Sequence, residues 1–211
     1  MKARLAWLLF PLALLWGCQE EAAQGTATAA SLSEAPDYTE HYVLSPQVSD
    51  DRRLQEPGQK TRDAKGGLEL LAANMEAQPV QIGDVELTIH ETKLLHYTPD
   101  YSLIDFYHAY THEQEFELVK LFVEIHNSSN EAVSFAPAAL LETGAGEVKT
   151  WEDDVYLESL NEGLEPGEVK SGNVGFIVED GAQEIKLTTS KLFAADGELL
   201  APARAITIQL D

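Results

Sequence analysis

From Leu68 to the C-terminus the chain runs in short stretches that alternate apolar and polar residues. That period of two constrains the fold more than any other feature. Val85, Leu87 and Ile89 alternate with Glu86, Thr88 and His90; Val119, Leu121, Val123 and Ile125 alternate with Lys120, Phe122, Glu124 and His126. Successive side chains of a strand point to opposite faces, so each run describes a strand with one buried face. Further runs cover 68–74, 132–142, 147–151, 169–178, 184–190 and 205–210. Turn chemistry separates them: Asn127-Ser128-Ser129-Asn130, Thr143-Gly144-Ala145-Gly146, Pro166-Gly167 and Asp196-Gly197. Pro166-Gly167 fits the central pair of a type II turn. Helical periodicity is almost absent. The strand number and turn spacing predict an all-β fold, a two-sheet antiparallel sandwich, with a partly open barrel as the alternative.

The N-terminus carries an address. Lys2 and Arg4 precede an apolar run from Leu5 to Trp16, and Gly17-Cys18 follows. A run of this length falls short of the ~20 residues a membrane span needs and fits the h-region of a signal peptide. Leu15-Trp16-Gly17-Cys18 resembles a bacterial lipobox, in which the cysteine is lipidated and becomes the mature N-terminus. The sequence therefore predicts a signal peptide over 1–17 and a lipid on Cys18, which places the protein outside the cytoplasm and anchored to the bacterial cell membrane. A diacylglyceryl group supplies two acyl chains, enough for stable anchoring. Residues 18–67 are small, polar and punctuated by Pro36, Pro46, Pro57 and Gly58, so this segment is expected to be a flexible acidic tether. Tyr38, Tyr42, Val43 and Leu44 are the residues within it that could dock. The folded domain is expected over 68–211.

Three segments carry a family likeness. Leu121-Phe122-Val123-Glu124-Ile125-His126-Asn127-Ser128 resembles a "V-x-V-x-I-x-N-x-S" strand and turn. Leu164 to Val178 is similar to an "L-x-P-G-E-x-V-x-G-x-V-x-F-x-V" segment, and Ile82-Gly83-Asp84 fits the opening of the same pattern. These motifs resemble the telokin-like, or immunoprotective-antigen-like, extracellular immunoglobulin-like domains of bacterial lipoproteins. The likeness covers roughly residues 80–211 and implies an immunoglobulin-like sandwich without the antibody disulfide. It brings no catalytic residues, because the family has no assigned activity.

The stretch from His96 to Glu117 is rich in aromatic and imidazole groups and departs from that pattern. Tyr97, Tyr101, Tyr107 and Tyr110 make it a candidate binding loop, because rigid scaffolds carry function on their loops. His108 and His112 are spaced i, i+4, with Asp105 and Glu113 beside them, which is a donor set a Zn²⁺-like ion could use. Ala109 stands where a zinc protease would need its glutamate, so that base is missing. Glu152-Asp153-Asp154 lacks the spacing of a calcium loop and reads as a solvated acidic turn. No phosphate or dinucleotide fingerprint and no nucleophile elbow occurs. The expectation is a binding or structural module of the cell envelope with an unknown envelope protein or ligand, no cofactor and no enzymatic role; the alternative is a metal-handling lipoprotein using the His96–Glu117 loop.

The 14 basic and 36 acidic residues exclude nucleic acid, whose phosphates need a basic footprint. Residues 68–211 hold 27 of the acids and only 7 of the bases, so the charge belongs to the expected domain rather than to its tether.

Overall fold

A computed structural model describes residues 32–179 and 182–211. The expected signal peptide, the lipidation site Cys18 and residues 19–31 lie outside these. The described chain is nearly all β, and its strands pair antiparallel in every sheet. In chain order they are β1 (Lys60–Asp63), β2 (Gly66–Asn74), β3 (Gln78–Ile82), β4 (Val85–Pro99), β5 (Phe116–Asn127), β6 (Val133–Ser134) and β7 (Leu140–Thr143). Then come β8 (Val148–Thr150), β9 (Gly163–Leu164), β10 (Val169–Val178), β11 (Glu184–Thr188), β12 (Leu192–Ala194), β13 (Leu199–Ala201) and β14 (Ala205–Gln209). Among the described residues no helix is long and apolar enough to cross a membrane.

A six-stranded sheet, β1-β2-β4-β5-β10 with β3 also on β4, packs against two four-stranded sheets, β14-β11-β7-β8 and β13-β12-β6-β9. The fold is therefore the expected all-β sandwich, built of open sheets, with its second layer divided in two. Pro137 lies in the run 132–142, which was expected as one strand and is two, β6 and β7, in different sheets. A proline cannot donate to a ladder, and the chain changes sheet there. The inner core lies between the layers and is apolar: Leu87, Leu121, Val123, Phe135, Leu141, Phe176, Ile185 and Leu187 are at most 1% exposed.

The two longer motif segments meet at one end of this core. Asn127 is fully buried, and its Nδ2 lies within 2.8 Å of the Glu131 carbonyl, 3.3 Å of Leu164 and 3.1 Å of Glu165. Its Oδ1 accepts from the Ser129 N–H at 3.0 Å. One amide thus ties the turn after β5 to the Pro166-Gly167 turn before β10. Gly167 sits at φ +71°, as the third position of a type II turn requires.

The long strands change face partway along. The register of β4 shifts between Ile89 and Glu91, and that of β2 between Leu70 and Ala72. Each bulge inserts one residue and reverses which side the following residues face. Val85, Leu87 and Ile89 enter the inner core, whereas Leu95 and Tyr97, of the same parity, belong to a second cluster with Leu68, Leu70, Leu118 and Ile177. The outer face of the six-stranded sheet is therefore also buried.

Its cover corrects the tether. Residues 32–59, expected as flexible coil, lie on this outer face as an irregular strap, and β1 and the start of β2 add to the sheet. Val48 and Leu54 are at most 1% exposed within the second cluster. The expectation failed because low apolar content was weighed alone; this strap is held chiefly by polar contacts to side chains of the sheet.

Candidate functional site

Four charged side chains lie beneath the strap. The bulge in β4 turns Glu91 and Lys93 to the outer face, and the β4–β5 register places Lys93 directly opposite Lys120. Like charges at opposed positions repel. Both lysine side chains are fully buried, so the pair is tolerated only because two carboxylates sit between them. Asp51 Oδ2, from the strap, lies 2.9 Å from Lys93 Nζ and 3.1 Å from Lys120 Nζ. Glu91 Oε1 lies 3.0 Å from Lys93 Nζ and also accepts from Lys120 Nζ.

Burial alone would lift the Asp51 carboxyl, but Lys120 and Lys93 overturn that and hold it well below the usual carboxylate range. Burial pulls the Lys120 ammonium down, and Asp51 and Glu91 more than offset it, leaving it raised. Tyr38 completes the group by donating to Glu91 Oε2 at 2.6 Å while stacking on His90 with ring centroids 4.6 Å apart. The four charges sum to zero and are sealed from solvent, an arrangement suited to fixing the strap rather than to turning over a substrate.

The candidate binding loop is divided by burial. Tyr97 lies within β4 and Tyr107 ends a short helix, Ile104–Tyr107; both are at most 1% exposed. The Tyr107 hydroxyl donates to the Gln47 carbonyl of the strap at 3.0 Å, and the Tyr97 hydroxyl lies 2.8 Å from the Lys65 carbonyl and 3.1 Å from that of Gln47. Tyr110 is half-buried, and Tyr101 is 84% exposed. Two of the four tyrosines are thus packing residues, which corrects the expectation that they form one binding surface. The bulge in β4 reverses the phase set by Val85, Leu87 and Ile89 and so puts Tyr97 on the face that the strap covers.

The candidate metal ligands do not assemble. His108 caps the short helix and His112 lies beyond it, so the i, i+4 spacing falls outside helical geometry. Their rings lie 6.0 Å apart, and both are exposed, as are Asp105 and Glu113. Among the described residues no group of three His, Cys, Asp or Glu side chains could hold a metal ion. His96 instead faces Glu115, with Nε2 3.6 Å from Oε2. The metal-handling alternative is therefore left without a donor cage.

The acidic turn after β8 proves more informative than its sequence suggested. Thr150 and Asp153 cap a 3₁₀ turn, Trp151–Asp153, through reciprocal hydrogen bonds. Asp154 Oδ1 accepts from the Gly175 N–H at 2.8 Å and the Tyr156 N–H at 3.1 Å. This pins the segment to β10. Gly175 is required there, since a Cβ would come within 2.6 Å of the Tyr156 ring. Burial raises the Asp154 carboxyl, against the lowering effect of its backbone donors.

Beside this segment is a cavity of about 240 Å³ whose walls include Trp151, Glu152, Asp154, Leu157 and Leu160. Trp151 is 54% exposed and Leu157 56%. Leu157 and Ser159 both take left-handed backbone, at φ 56° and 55°. Residues with a Cβ hold that conformation at a cost of about 1–3 kcal/mol each, and such strain gathers at functional sites. No motif announced this site. The signal present in the sequence was the single tryptophan outside the expected signal peptide, followed by three acids.

Residues 77–199 match a family model described as a domain of unknown function, DUF4352. The uncharacterized protein YdhF of Bacillus subtilis is 40% identical over 236 residues, spanning 99% of this chain and 100% of that protein. Among solved structures, a functionally unknown protein from Listeria monocytogenes EGD-e is 14% identical, with a TM-score of 0.45 over 57% of this chain and 74% of its own. The yjhA protein of Bacillus subtilis is 11% identical, with a TM-score of 0.30 over 75% of this chain and 100% of its own.

Proposed function

We propose, from the premise that this chain belongs to the DUF4352 family, that it is a lipid-anchored, extracytoplasmic binding module. The cavity at Trp151 carries this reading. It offers an exposed indole, two carboxylates and a strained wall, all fixed to a rigid sandwich. Preformed pockets with a few converging polar groups are the usual form of small-ligand sites. In this reading the sandwich is immunoglobulin-like and of the telokin-like kind. The packing of Asn127 between its two motif segments supports that assignment. The reading includes no reaction.

The anchor is tested by Cys18→Ala followed by cell fractionation. The wild type is expected in the membrane fraction and the processed variant in the soluble one; retention of the processed variant would remove the anchor. The binding role is tested with the full chain carrying Trp7→Phe and Trp16→Phe, which leaves Trp151 as its only tryptophan. A saturable change in Trp151 emission is expected on adding a small-molecule extract of the cell envelope. Emission unaffected by such extracts would sink the role.

A further inference from the structure

We propose that the Trp151 cavity takes a free quaternary ammonium solute of about the size of choline. This rests on the binding-module reading and adds the ligand class.

The first argument is the composition of the walls. An exposed indole stands beside the carboxylates of Glu152 and Asp154, and no Lys, Arg or His is among the described residues lining the cavity. An aromatic face attracts a cation through its quadrupole, and nearby carboxylates add to that attraction. The surroundings act in the same direction. Residues 68–211 contain only seven basic side chains, and two of them, Lys93 and Lys120, are buried beneath the strap. An anionic ligand would meet repulsion with no compensating group.

The second argument separates an organic cation from a metal ion. A hard cation needs several free oxygens close together. Here Glu152 and Asp154 are the only carboxylates lining the cavity, and Asp154 Oδ1 already accepts two backbone N–H groups. Among the described residues no three His, Cys, Asp or Glu side chains come together to hold a metal ion. The carboxylates supply negative potential and little coordination. A quaternary ammonium has no N–H to satisfy and asks only for apolar contact, an aromatic face and diffuse negative charge. Leu157 and Leu160 supply the apolar contact. The size agrees, since about 240 Å³ is smaller than the ~300–1,000 Å³ of pockets for drug-sized ligands. A phosphocholine headgroup shares the cation but brings a phosphate that this acidic surface repels, which favours a free solute.

The test uses the full chain in non-ionic detergent with Trp7→Phe and Trp16→Phe. Choline chloride is titrated against sodium chloride of equal ionic strength, with Trp151 emission as the readout. A parallel titration uses 3,3-dimethylbutanol, in which a neutral carbon replaces the nitrogen, and a third uses phosphocholine. Choline is expected to give a saturable change, with the neutral isostere and phosphocholine each weaker by about five-fold or more. Glu152→Gln, at an exposed position, is expected to weaken choline about two- to five-fold without altering the fold. Equal binding of the isostere, equal or tighter binding of phosphocholine, or no response to choline overturns the proposal. If choline gives no response while envelope extract still shifts Trp151, only the ligand class falls. If neither acts, the binding role falls with it.

Discussion

One face of the six-stranded sheet is closed by other strands, and its contacts are Leu87, Leu121, Val123 and Phe176 against Phe135, Leu141, Ile185 and Leu187. The opposite face is closed by a strap without regular structure beyond a short 3₁₀ turn; there the sheet presents Glu91, Lys93, Lys120 and Tyr97, and the short helix adds Tyr107. The difference follows from backbone hydrogen bonding. Strands arrive with their N–H and C=O groups already paired in ladders, so an apolar cover is enough. A strap brings carbonyls that need donors, and side chains of the sheet and its loops supply them. Lys65 Nζ donates to Ser45 O at 2.9 Å, Tyr107 to Gln47 O at 3.0 Å, and Lys93 Nζ to Asp51 O at 3.0 Å. Polar residues on this buried face are what allow an irregular segment to be part of the core.

The comparison is broken most directly at Asp51. Asp51→Ala leaves two buried ammonium groups facing one carboxylate and is expected to cost about 3–5 kcal/mol, read by urea denaturation. A loss below about 1 kcal/mol would mean that the strap is not held by this cluster. On the inner face, Leu121→Ala should cost about 2–5 kcal/mol through a cavity. Amide exchange would separate the two variants. The strap should lose protection first in Asp51→Ala, whereas in Leu121→Ala protection should fall across the sandwich.

Acidity sharpens the same contrast. The Asp51 carboxyl is depressed in the fold, so its contribution is complete above its unfolded value near 3.9 and is lost as pH falls toward the folded value. Lys120 is raised, so its contribution is complete below about 10.4 and is lost as pH climbs through its folded value. Stability should therefore fall off in acid, and this fall should be shallower in Asp51→Ala. Tyr38→Phe removes the donor to Glu91 Oε2 and is expected to cost about 1–2 kcal/mol by thermal melting. The smallest effect belongs to the exposed loop, where His108→Ala with His112→Ala should stay within about 0.5 kcal/mol.

Strand periodicity and turn chemistry made the inner face legible. The phase of Val85, Leu87 and Ile89 and of Val119, Leu121, Val123 and Ile125 placed those residues inside, and the Pro166-Gly167 turn falls where its φ demands. The outer face was harder to read, because a bulge leaves no composition signal and silently changes the parity of everything after it. Two residues did hint at it. Phe122 falls on the polar phase of β5, and Leu94-Leu95 places two leucines on opposite faces of β4; both observations mean that neither face is wet. The strap was missed because its fixing groups are an aspartate, a tyrosine and bare carbonyls, which in sequence resemble solvated coil. The Trp151 cavity was missed although most of its wall is the single segment 151–161, because the left-handed backbone at Leu157 and Ser159 that shapes it follows no spacing motif.

The docked strap also sets how far the sandwich can stray from whatever holds its N-terminus. Had the chain from Cys18 to Leu68 been free, its fully extended length would be about 175 Å. With docking begun by Leu32, only 14 steps remain, at most about 50 Å. Under the proposal of a lipid on Cys18, the volume the domain can sweep would shrink roughly forty-fold. A free solute gains no effective concentration from that confinement, which would instead fix where it is captured, within about 50 Å of the anchor.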